Sequence, residues 1–265
     1  MKGLRFSRKQ LCIPYGLFLT LFVAAPLLVI LYYAFTNGEG YFSLENFIAF
    51  FTSPNTIGTL AYSFSIAIVT TALCLLLAYP IALLLARGPF SGRSVLIVMF
   101  VLPMWINFTL RITALKEVLT VIEGNLAYYP FLNSIIGMTY DFLPFMILPL
   151  YTTLTKLDQN LLEAAADLGA SPTQVFLKVT LPLSVPGIIS GIVMVFLPAM
   201  TNYVVLDMLY NSTYIMGSLI GSYFSAYDWH NGSMIALVLL LIILVFTLVT
   251  NRYTEETDQR GGSLL

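Results

Sequence analysis

Carboxylates set in or beside long apolar runs are the residues of this sequence with the clearest chemical potential. Asp141 lies inside the apolar run over 133–154, and Asp207 lies just after a run that ends at 206. An ionised carboxylate inside an apolar segment is costly and usually faces a cavity or a partner, so Asp141 is a candidate contact for a cationic solute. The alternative is a hydrogen bond between Asp141 and a neighbouring helix.

Aromatic side chains accompany these carboxylates. Tyr203 lies one helical turn before Asp207, and Trp105 lies in an apolar run over 95–110. A carboxylate and an aromatic face together can hold an ammonium group, by charge and by cation–π contact. Two alternatives stay open: Trp105 as a residue of the membrane-interface belt, and Asp207 as a solvated loop acid.

Enzyme signatures are missing from the sequence. It contains no Gly-rich Walker loop, so we expect the chain to hydrolyse no ATP itself, and it has no H-E-x-x-H zinc pattern. We predict that the single histidine, His230, is a solvated loop residue and that Cys12 and Cys74 are packing residues inside apolar blocks. We therefore expect no catalytic residue, metal ligand or cofactor site in this chain.

The elements that position these residues must be membrane helices. The chain is 58% hydrophobic and only 9% charged, with a formal net charge of -1, which excludes a strongly basic nucleic-acid-binding protein. Its apolar residues run in long blocks separated by short charged connectors. Lipid is therefore the expected solvent, and the predicted fold class is an all-α, polytopic membrane protein.

Six spans are predicted in a single transmembrane domain over 1–265. Their approximate bounds are 11–35, 60–86, 95–112, 133–154, 183–206 and 233–251. The third span is short and lies between Arg93 and Arg111, which we expect to snorkel to the interfaces. Residues 208–227 are too polar to span, so a surface or re-entrant helix is predicted there.

The basic residues are distributed unevenly over the connectors. With six spans, ten Lys and Arg residues fall on one side and only Arg111 and Lys116 on the other, which predicts that both termini are cytoplasmic. Acidic residues show the opposite bias: the predicted outer side or its margin carries Glu39, Glu45, Glu117, Glu123, Asp207 and Asp228, with Asp141 in the outer half of the fourth span. An acidic surface suits a cationic solute or a basic partner, although acids also accumulate outside without any role.

The cytoplasmic connector over 156–182, called here the loop 156–182, carries a distinctive pattern. A short amphipathic helix is predicted in its first half, ended by Gly169 in a left-handed conformation. Ser171 then caps a second helix, with Pro172 in its first turn and Gln174 three residues after the cap. The product is a helix, a tight turn and a helix outside the membrane; the alternative is an amphipathic connector with no partner.

Residues 161–182, LLEAAADLGASPTQVFLKVTLP, resemble the EAA loop of permease subunits in type I ATP-binding-cassette importers. The resemblance implies the fold of those permeases and a coupling helix that sits in a cleft of a cytoplasmic ATPase subunit. The residues that it assigns to this contact are Glu163, Ala164, Ala165, Asp167, Gly169, Leu181 and Pro182. One departure is Val179, where the family usually has Ile.

Three further stretches, 102–116, 143–158 and 196–209, are similar to the B-type permeases of spermidine/putrescine importers. The stretch 143–158 is shared loosely with other type I permeases, and the other two are more specific to the polyamine group. This resemblance implies that Trp105 and Leu115 help to form the passage or its gate. It also implies that Asp207 meets an ammonium group of the polyamine. Tyr203 and Asp141 complete the predicted substrate pathway.

The same resemblance implies an assembly in a bacterial cell membrane. The partners would be a second, homologous permease, two ATPase subunits that bind ATP and Mg, and an external polyamine-binding protein. A type I permease for another small solute is the main alternative. An ion-coupled secondary transporter would need internal repeats and more ionisable groups inside the membrane, and a membrane enzyme would need a set of catalytic groups.

Overall fold

The computed structural model describes residues 12–89, 92–209 and 215–262. The basic cluster of Lys2, Arg5, Arg8 and Lys9, residue 11 of the first predicted span, and 210–214 of the predicted surface helix lie outside this part. Within the described ranges the only strand-like pairing is an isolated bridge between Thr36 and Phe42, so the fold is all-α.

The helical elements follow one another with short connections. In chain order they are α1 (Cys12–Leu19), a π-helix (Thr20–Ala24), α2 (Ala25–Ala34), α3 (Glu45–Thr52), α4 (Pro54–Arg87), α5 (Arg93–Val101), a 3-10 turn (Leu102–Trp105), α6 (Phe108–Glu123), a 3-10 turn (Leu126–Tyr128), α7 (Pro130–Lys156), α8 (Gln159–Asp167), α9 (Pro172–Val175), a π-helix (Phe176–Thr180), α10 (Leu181–Leu183), α11 (Val185–Thr201), α12 (Tyr203–Leu209), α13 (Met216–Ser225) and α14 (Trp229–Gly262).

Four of the described helical segments are long and apolar enough to cross a membrane: Ile13–Ala34, Pro54–Arg87, Pro130–Lys156 and Trp229–Thr250. The number rises to six if two bent pairs each count as one span. These pairs are Val95–Trp105 with Phe108–Glu123, bent by 95°, and Pro172–Leu183 with Val185–Thr201, bent by 61°. The chain is therefore a multi-pass membrane protein.

The predicted third span, 95–112, contains the sharper of the two bends. The apolar helix ends in the 3-10 turn that includes Pro103, and α6 begins at Phe108. Asn107 caps α6, since its Oδ1 accepts hydrogen bonds from the backbone N–H groups of Thr109 (2.9 Å) and Leu110 (3.4 Å). Proline and an N-capping asparagine end one helix and start another, and both signals were present in the sequence.

The predicted fifth span, 183–206, also differs from a single helix. Ser184 separates α10 from α11, and α11 ends at Thr201, where the N–H of Asn202 donates to the carbonyl of Pro198 at 2.8 Å. A separate helix, α12, follows and carries Tyr203 and Asp207. Of the predicted helix within 208–227, the described part is α13.

The described residues group into two compact units, whereas the sequence predicts one domain over 1–265, which stays a prediction. The first unit comprises residues up to Ile57 together with Leu219–Ile242. In it, Asn46 Nδ2 donates to the carbonyl of Thr36 at 3.1 Å. His230 is half-buried in the first turn of α14, with Nδ1 3.1 Å from the carbonyl oxygen of Tyr33. The prediction that His230 is a solvated loop residue is therefore wrong, because helix α14 begins at Trp229 and orients the ring onto Tyr33.

The second unit comprises Gly58–Ser218 together with residues from Ile243. Its central element is α7, which has a long series of buried residues and packs along α11. The contact is close: a Cβ added at Gly187 would lie 2.6 Å from Thr153 Oγ1 and 3.0 Å from the carbonyl oxygen of Pro149. Helix α12 packs on both α6 and α7, burying Val205, Leu206 and Leu209. These contacts position the two candidate sites described next.

Candidate functional site

The loop 156–182 has the helix–turn–helix geometry that its sequence predicts. Asp158 caps α8 by accepting a hydrogen bond from the N–H of Asn160 at 2.9 Å. After α8, the N–H of Ala170 donates to Ala165 (3.1 Å) and that of Gly169 donates to Ala166 (2.9 Å). This pair of bonds forms the left-handed turn that ends many helices, and it holds Gly169 at φ +84°.

The second helix of the loop starts with the predicted capping box. The N–H of Gln174 donates to Ser171 Oγ at 3.4 Å, and the N–H of Ser171 donates to Gln174 Oε1 at 2.9 Å. Pro172 occupies the first position of α9. The turn at Gly169 and the capping box are confirmed, and together they fix the direction of the chain on both sides of the turn.

The residues predicted to contact an ATPase lie largely on the surface of the loop. Glu163, Ala164, Asp167, Gly169 and Pro182 are exposed, and Ala165 and Leu181 are half-buried. Sequence reasoning left one prominent residue out of this set: Leu168, at the end of α8, is 90% exposed. Its position on the apolar side of the predicted helix was the available signal.

Helix α4 makes an aromatic contact with the loop and a hydrogen bond with Ser184, which follows the loop. The rings of Tyr79 and Phe176 meet edge to face, with centroids 5.7 Å apart, and the Tyr79 hydroxyl lies 2.9 Å from Ser184 Oγ. Ser184 Oγ also donates to the carbonyl of Leu181 at 2.9 Å, at the 61° bend between the loop and α11. Sequence reasoning missed Tyr79 and Ser184, since 105 positions separate them along the chain.

A cavity of about 350 Å³ lies between the loop and α4. Its walls are Leu83, Leu162, Ala166, Ala170, Pro172, Val175, Phe176 and Thr180. Seven of these eight residues belong to the loop itself, and Leu83 is the contribution of α4.

The five predicted pathway residues occupy different surroundings. Trp105 is 82% exposed at the end of the 3-10 turn and lines a cavity of about 250 Å³ with Leu148 of α7. Leu115 is half-buried on α6, while Tyr203 and Asp207 are exposed on α12. Because α12 packs on α6 and α7, the helices that carry Leu115, Asp141 and Asp207 are in contact.

Asp207 lies beyond the candidate membrane spans, and its electrostatics differ from those of an ordinary surface acid. Although its side chain is exposed, nearby protein removes part of its hydration and raises the pKa of the carboxyl above its usual value. A partly desolvated carboxylate gains more from a cationic partner than a fully hydrated one does.

Asp141 is not a free carboxylate in this structure. It is buried in α7 and forms an ion pair with the guanidinium of Arg111 from α6. The alternative raised from the sequence, a hydrogen bond to a neighbouring helix, is the arrangement present here. The prediction that Arg111 snorkels to the interface is wrong, because its counter-ion lies inside the bundle.

Arg93, the other arginine predicted to snorkel, is exposed and also donates hydrogen bonds to backbone carbonyls. Its Nη1 and Nη2 atoms donate to the carbonyls of Ala86 (3.0 Å) and Gly88 (2.7 Å) at the end of α4. A cation at a helix C-terminus satisfies carbonyls that have no partner within the helix.

Residues 78–260 match the family described as the binding-protein-dependent transport system inner membrane component. This chain belongs to that family. The matched region covers the loop 156–182, the two bent helix pairs and α7. It therefore includes both the predicted ATPase contacts and the five predicted pathway residues.

Individual relatives extend the similarity to most of the chain. The spermidine/putrescine transport system permease protein PotB of Escherichia coli strain K12 is 34% identical over 264 residues, covering 91% of this chain and 96% of that protein. The protein of the same name from Haemophilus influenzae is 36% identical over 252 residues, covering 86% of this chain and 88% of its own length.

A solved structure with the same fold is a bacterial alginate ABC transporter in complex with an alginate pentasaccharide-bound periplasmic protein. One of its chains superposes with a TM-score of 0.72 at 15% identity, covering 93% of this chain and 94% of its own. At that identity the likeness supports the permease fold of the importer and no particular solute.

Proposed function

We propose that this chain is the membrane-spanning permease subunit of an ATP-binding-cassette importer that moves polyamines such as spermidine and putrescine into the cytoplasm. The observation that carries the proposal is the similarity, over 91% of this chain, to permeases named for spermidine/putrescine transport. The acidic predicted outer side adds support, because a polyamine carries two or three ammonium groups.

The proposed assembly contains four kinds of component. A second, homologous permease pairs with this chain, two cytoplasmic ATPase subunits bind ATP and Mg, and an external binding protein delivers the polyamine. This chain contributes no ATPase site. The alginate importer with its solute-bound periplasmic protein supports the general plan, since its permease chain shares this fold.

The loop 156–182 is the proposed contact with the ATPase. Glu163 and Asp167 are exposed on α8, and Leu168 is exposed at its C-terminal end, before the turn at Gly169. When the ATPase pair closes on ATP, the loop moves with it. Tyr79 passes that movement from the bend at Ser184 to α4. Alternating access follows because ATP binds one state of the assembly better than the other.

Asp207, Tyr203, Trp105 and Leu115 are the proposed solute contacts. Asp207 supplies a carboxylate for an ammonium group, Tyr203 supplies an aromatic face on the same helix, and Trp105 and Leu115 form the gate. Asp141 belongs to the same pathway only in a state that releases it from Arg111.

The chain lies in the bacterial cell membrane with both termini in the cytoplasm in this proposal. The ten-to-two distribution of basic residues supports that orientation. It places the loop 156–182 inside the cell, where the ATPase is, and Asp207 outside.

Uptake in a strain that lacks this gene tests the proposal. Radiolabelled spermidine and putrescine should enter poorly, and the intact gene should restore entry, whereas the Glu163→Lys gene should not. Uptake of a labelled neutral amino acid serves as the control and should not change. Equal polyamine uptake with and without the gene, in a strain stripped of other polyamine importers, would refute the assignment of the solute.

A further inference from the structure

The one buried ion pair among the described residues joins α6, which follows the bend in the third span, to α7. The side chains of Arg111 and Asp141 are 7% and 6% exposed. They come from α6 and α7, and 30 positions separate them in the sequence. A charge held this far from water requires a counter-ion, so each of the two residues depends on the other.

Arg111 also reaches backward to the bend itself. Its Nη1 donates to the carbonyl oxygen of Pro103 at 3.3 Å, and its guanidinium carbon lies 5.9 Å from the centre of the Tyr140 ring. Pro103 belongs to the 3-10 turn that ends in Trp105. We call Arg111, Asp141, Tyr140 and Pro103 the Arg111 cluster.

The bond to Pro103 has a physical reason. The carbonyl oxygen of Pro103 accepts the backbone N–H of Ile106 at 3.1 Å, which closes the 3-10 turn, and its second lone pair is free to accept Arg111 Nη1 as well. The guanidinium of Arg111 has enough N–H donors to bond the carboxylate of Asp141 and the carbonyl of Pro103 at the same time. Its Nε has no partner among the described residues, so the contacts made by the two terminal nitrogens hold the group in place.

These contacts place one side chain at the meeting point of three segments: the turn Leu102–Trp105, α6 and α7. Helix α12, with Tyr203 and Asp207, packs on both α6 and α7. The turn that carries the exposed Trp105 and the two helices against which α12 packs therefore meet at the same pair of charges.

We propose that Arg111 is a positioning residue for transport, and that its simultaneous bonds to Asp141 and Pro103 hold the turn of Trp105 against α7. As a role in transport, this inference rests on the proposed function. It assigns Asp141 to the counter-ion of Arg111 in this state, which leaves Asp207 as the carboxylate open to a cationic solute.

Four variants separate positioning from simple charge neutralisation. Arg111→Met and Asp141→Leu alone each leave a buried charge unpaired, so the amount of chain in the membrane should fall about tenfold or more. The double variant removes both charges and should restore that amount. Arg111→Lys keeps the pair with Asp141, but a single ammonium cannot replace the fork that also reaches Pro103.

The position of the turn is measured by cross-linking within the assembled complex. Trp105→Cys and Leu148→Cys are introduced together, because the two positions line one cavity, in a background of Cys12→Ser and Cys74→Ala. A short bifunctional thiol reagent should join them readily when Arg111 and Asp141 are intact. In the double apolar variant and in Arg111→Lys, normalised to the amount of chain, the yield should fall by about fivefold to tenfold. Leu110→Met, an exposed neighbour of Arg111, is the matched control and should leave the yield unchanged.

Unchanged cross-linking in both the double apolar variant and Arg111→Lys would overturn the proposal, because the pair would then neutralise charge without positioning the turn. Normal membrane levels of Arg111→Met and Asp141→Leu would overturn it as well. The measurement requires no polyamine, so a failure of spermidine uptake in the intact chain would count against the proposed solute and leave this result standing.

Discussion

The loop 156–182 and the Arg111 cluster show two ways in which this chain fixes its geometry. In the loop, each directing contact joins residues within five positions of one another: Ser171 with Gln174, Gly169 with Ala166, and Ala170 with Ala165. In the Arg111 cluster, the deciding contact joins positions 30 apart on different helices. The loop is thus specified by local backbone chemistry, and the cluster by the packing of whole helices.

This difference predicts different consequences of mutation. A change in the loop leaves the membrane helices intact, so the chain should accumulate normally and fail in coupling. A change that removes one charge of the Arg111 cluster leaves the other charge buried, so the chain itself should be destabilised. Four variants test or sharpen this contrast.

The largest effect on transport is expected from Gly169→Pro. Proline holds φ at about -65°, whereas Gly169 lies at φ +84°. The turn therefore cannot form without distortion, which costs about 3 kcal/mol or more. Polyamine uptake and solute-stimulated ATP hydrolysis should be lost while the chain remains in the membrane. Gly169→Asn, which tolerates the left-handed conformation, should retain most activity. Stimulated hydrolysis by the proline variant at the normal rate is the result that opposes this account.

Glu163→Lys should have the next largest effect. It reverses one charge of the exposed acidic surface without touching the core, and we expect about a tenfold loss of solute-stimulated hydrolysis in the purified complex. Glu163→Gln keeps the shape of the side chain and removes its charge. Its rate of solute-stimulated hydrolysis should lie between those of the intact chain and Glu163→Lys. If the lysine and glutamine variants behave alike, charge at this position does not contribute to docking.

A smaller effect is expected from Tyr79→Phe. The change removes the hydroxyl that contacts Ser184 but keeps the ring on Phe176, so about 1 kcal/mol and up to roughly fivefold in coupling should be lost. Ser184→Ala should have a similar effect, and the double variant should be no worse than either single one. Additive losses would mean that the two residues act separately.

The smallest effect is expected from Asp207→Asn, measured as spermidine uptake at limiting concentration. One carboxylate of several on the predicted outer side is removed, so a loss of a few-fold, about 1 kcal/mol, is expected without a loss of complex assembly. Uptake equal to that of the intact chain would remove Asp207 from the pathway.

The raised pKa of Asp207 adds a dependence on pH. Its charge is present above that pKa and is lost as the external pH falls through it, at a higher pH than for an ordinary aspartate. Uptake by the intact chain should therefore decline as the external pH falls through that pKa, and uptake by the asparagine variant should decline less. A parallel decline in both chains would assign the effect to another group.

The sequence predicts the loop well and the membrane interior less well, for a physical reason. Gly169, Ser171 and Gln174 act through bonds to their own neighbours, so spacing alone reveals the turn and the capping box. Arg111 was assigned to the interface because nothing local shows that Asp141 lies beside it. Pro103 and Asn107 are local signals for the bend before α6. The bend was not predicted because the apolar run around Pro103 was interpreted as one continuous span.

The most direct test of the account is a site-specific cross-link from the loop to an ATPase subunit. Leu168→Cys is introduced in the Cys12→Ser, Cys74→Ala background, with Leu177→Cys, a second exposed leucine after the turn, for comparison. The account predicts that in the assembled complex Leu168→Cys joins a cytoplasmic ATPase subunit with a short thiol reagent and resists a membrane-impermeant thiol reagent added to intact cells. Labelling of Leu168→Cys from outside the cell, or no ATPase cross-link in a complex that hydrolyses ATP, would contradict it.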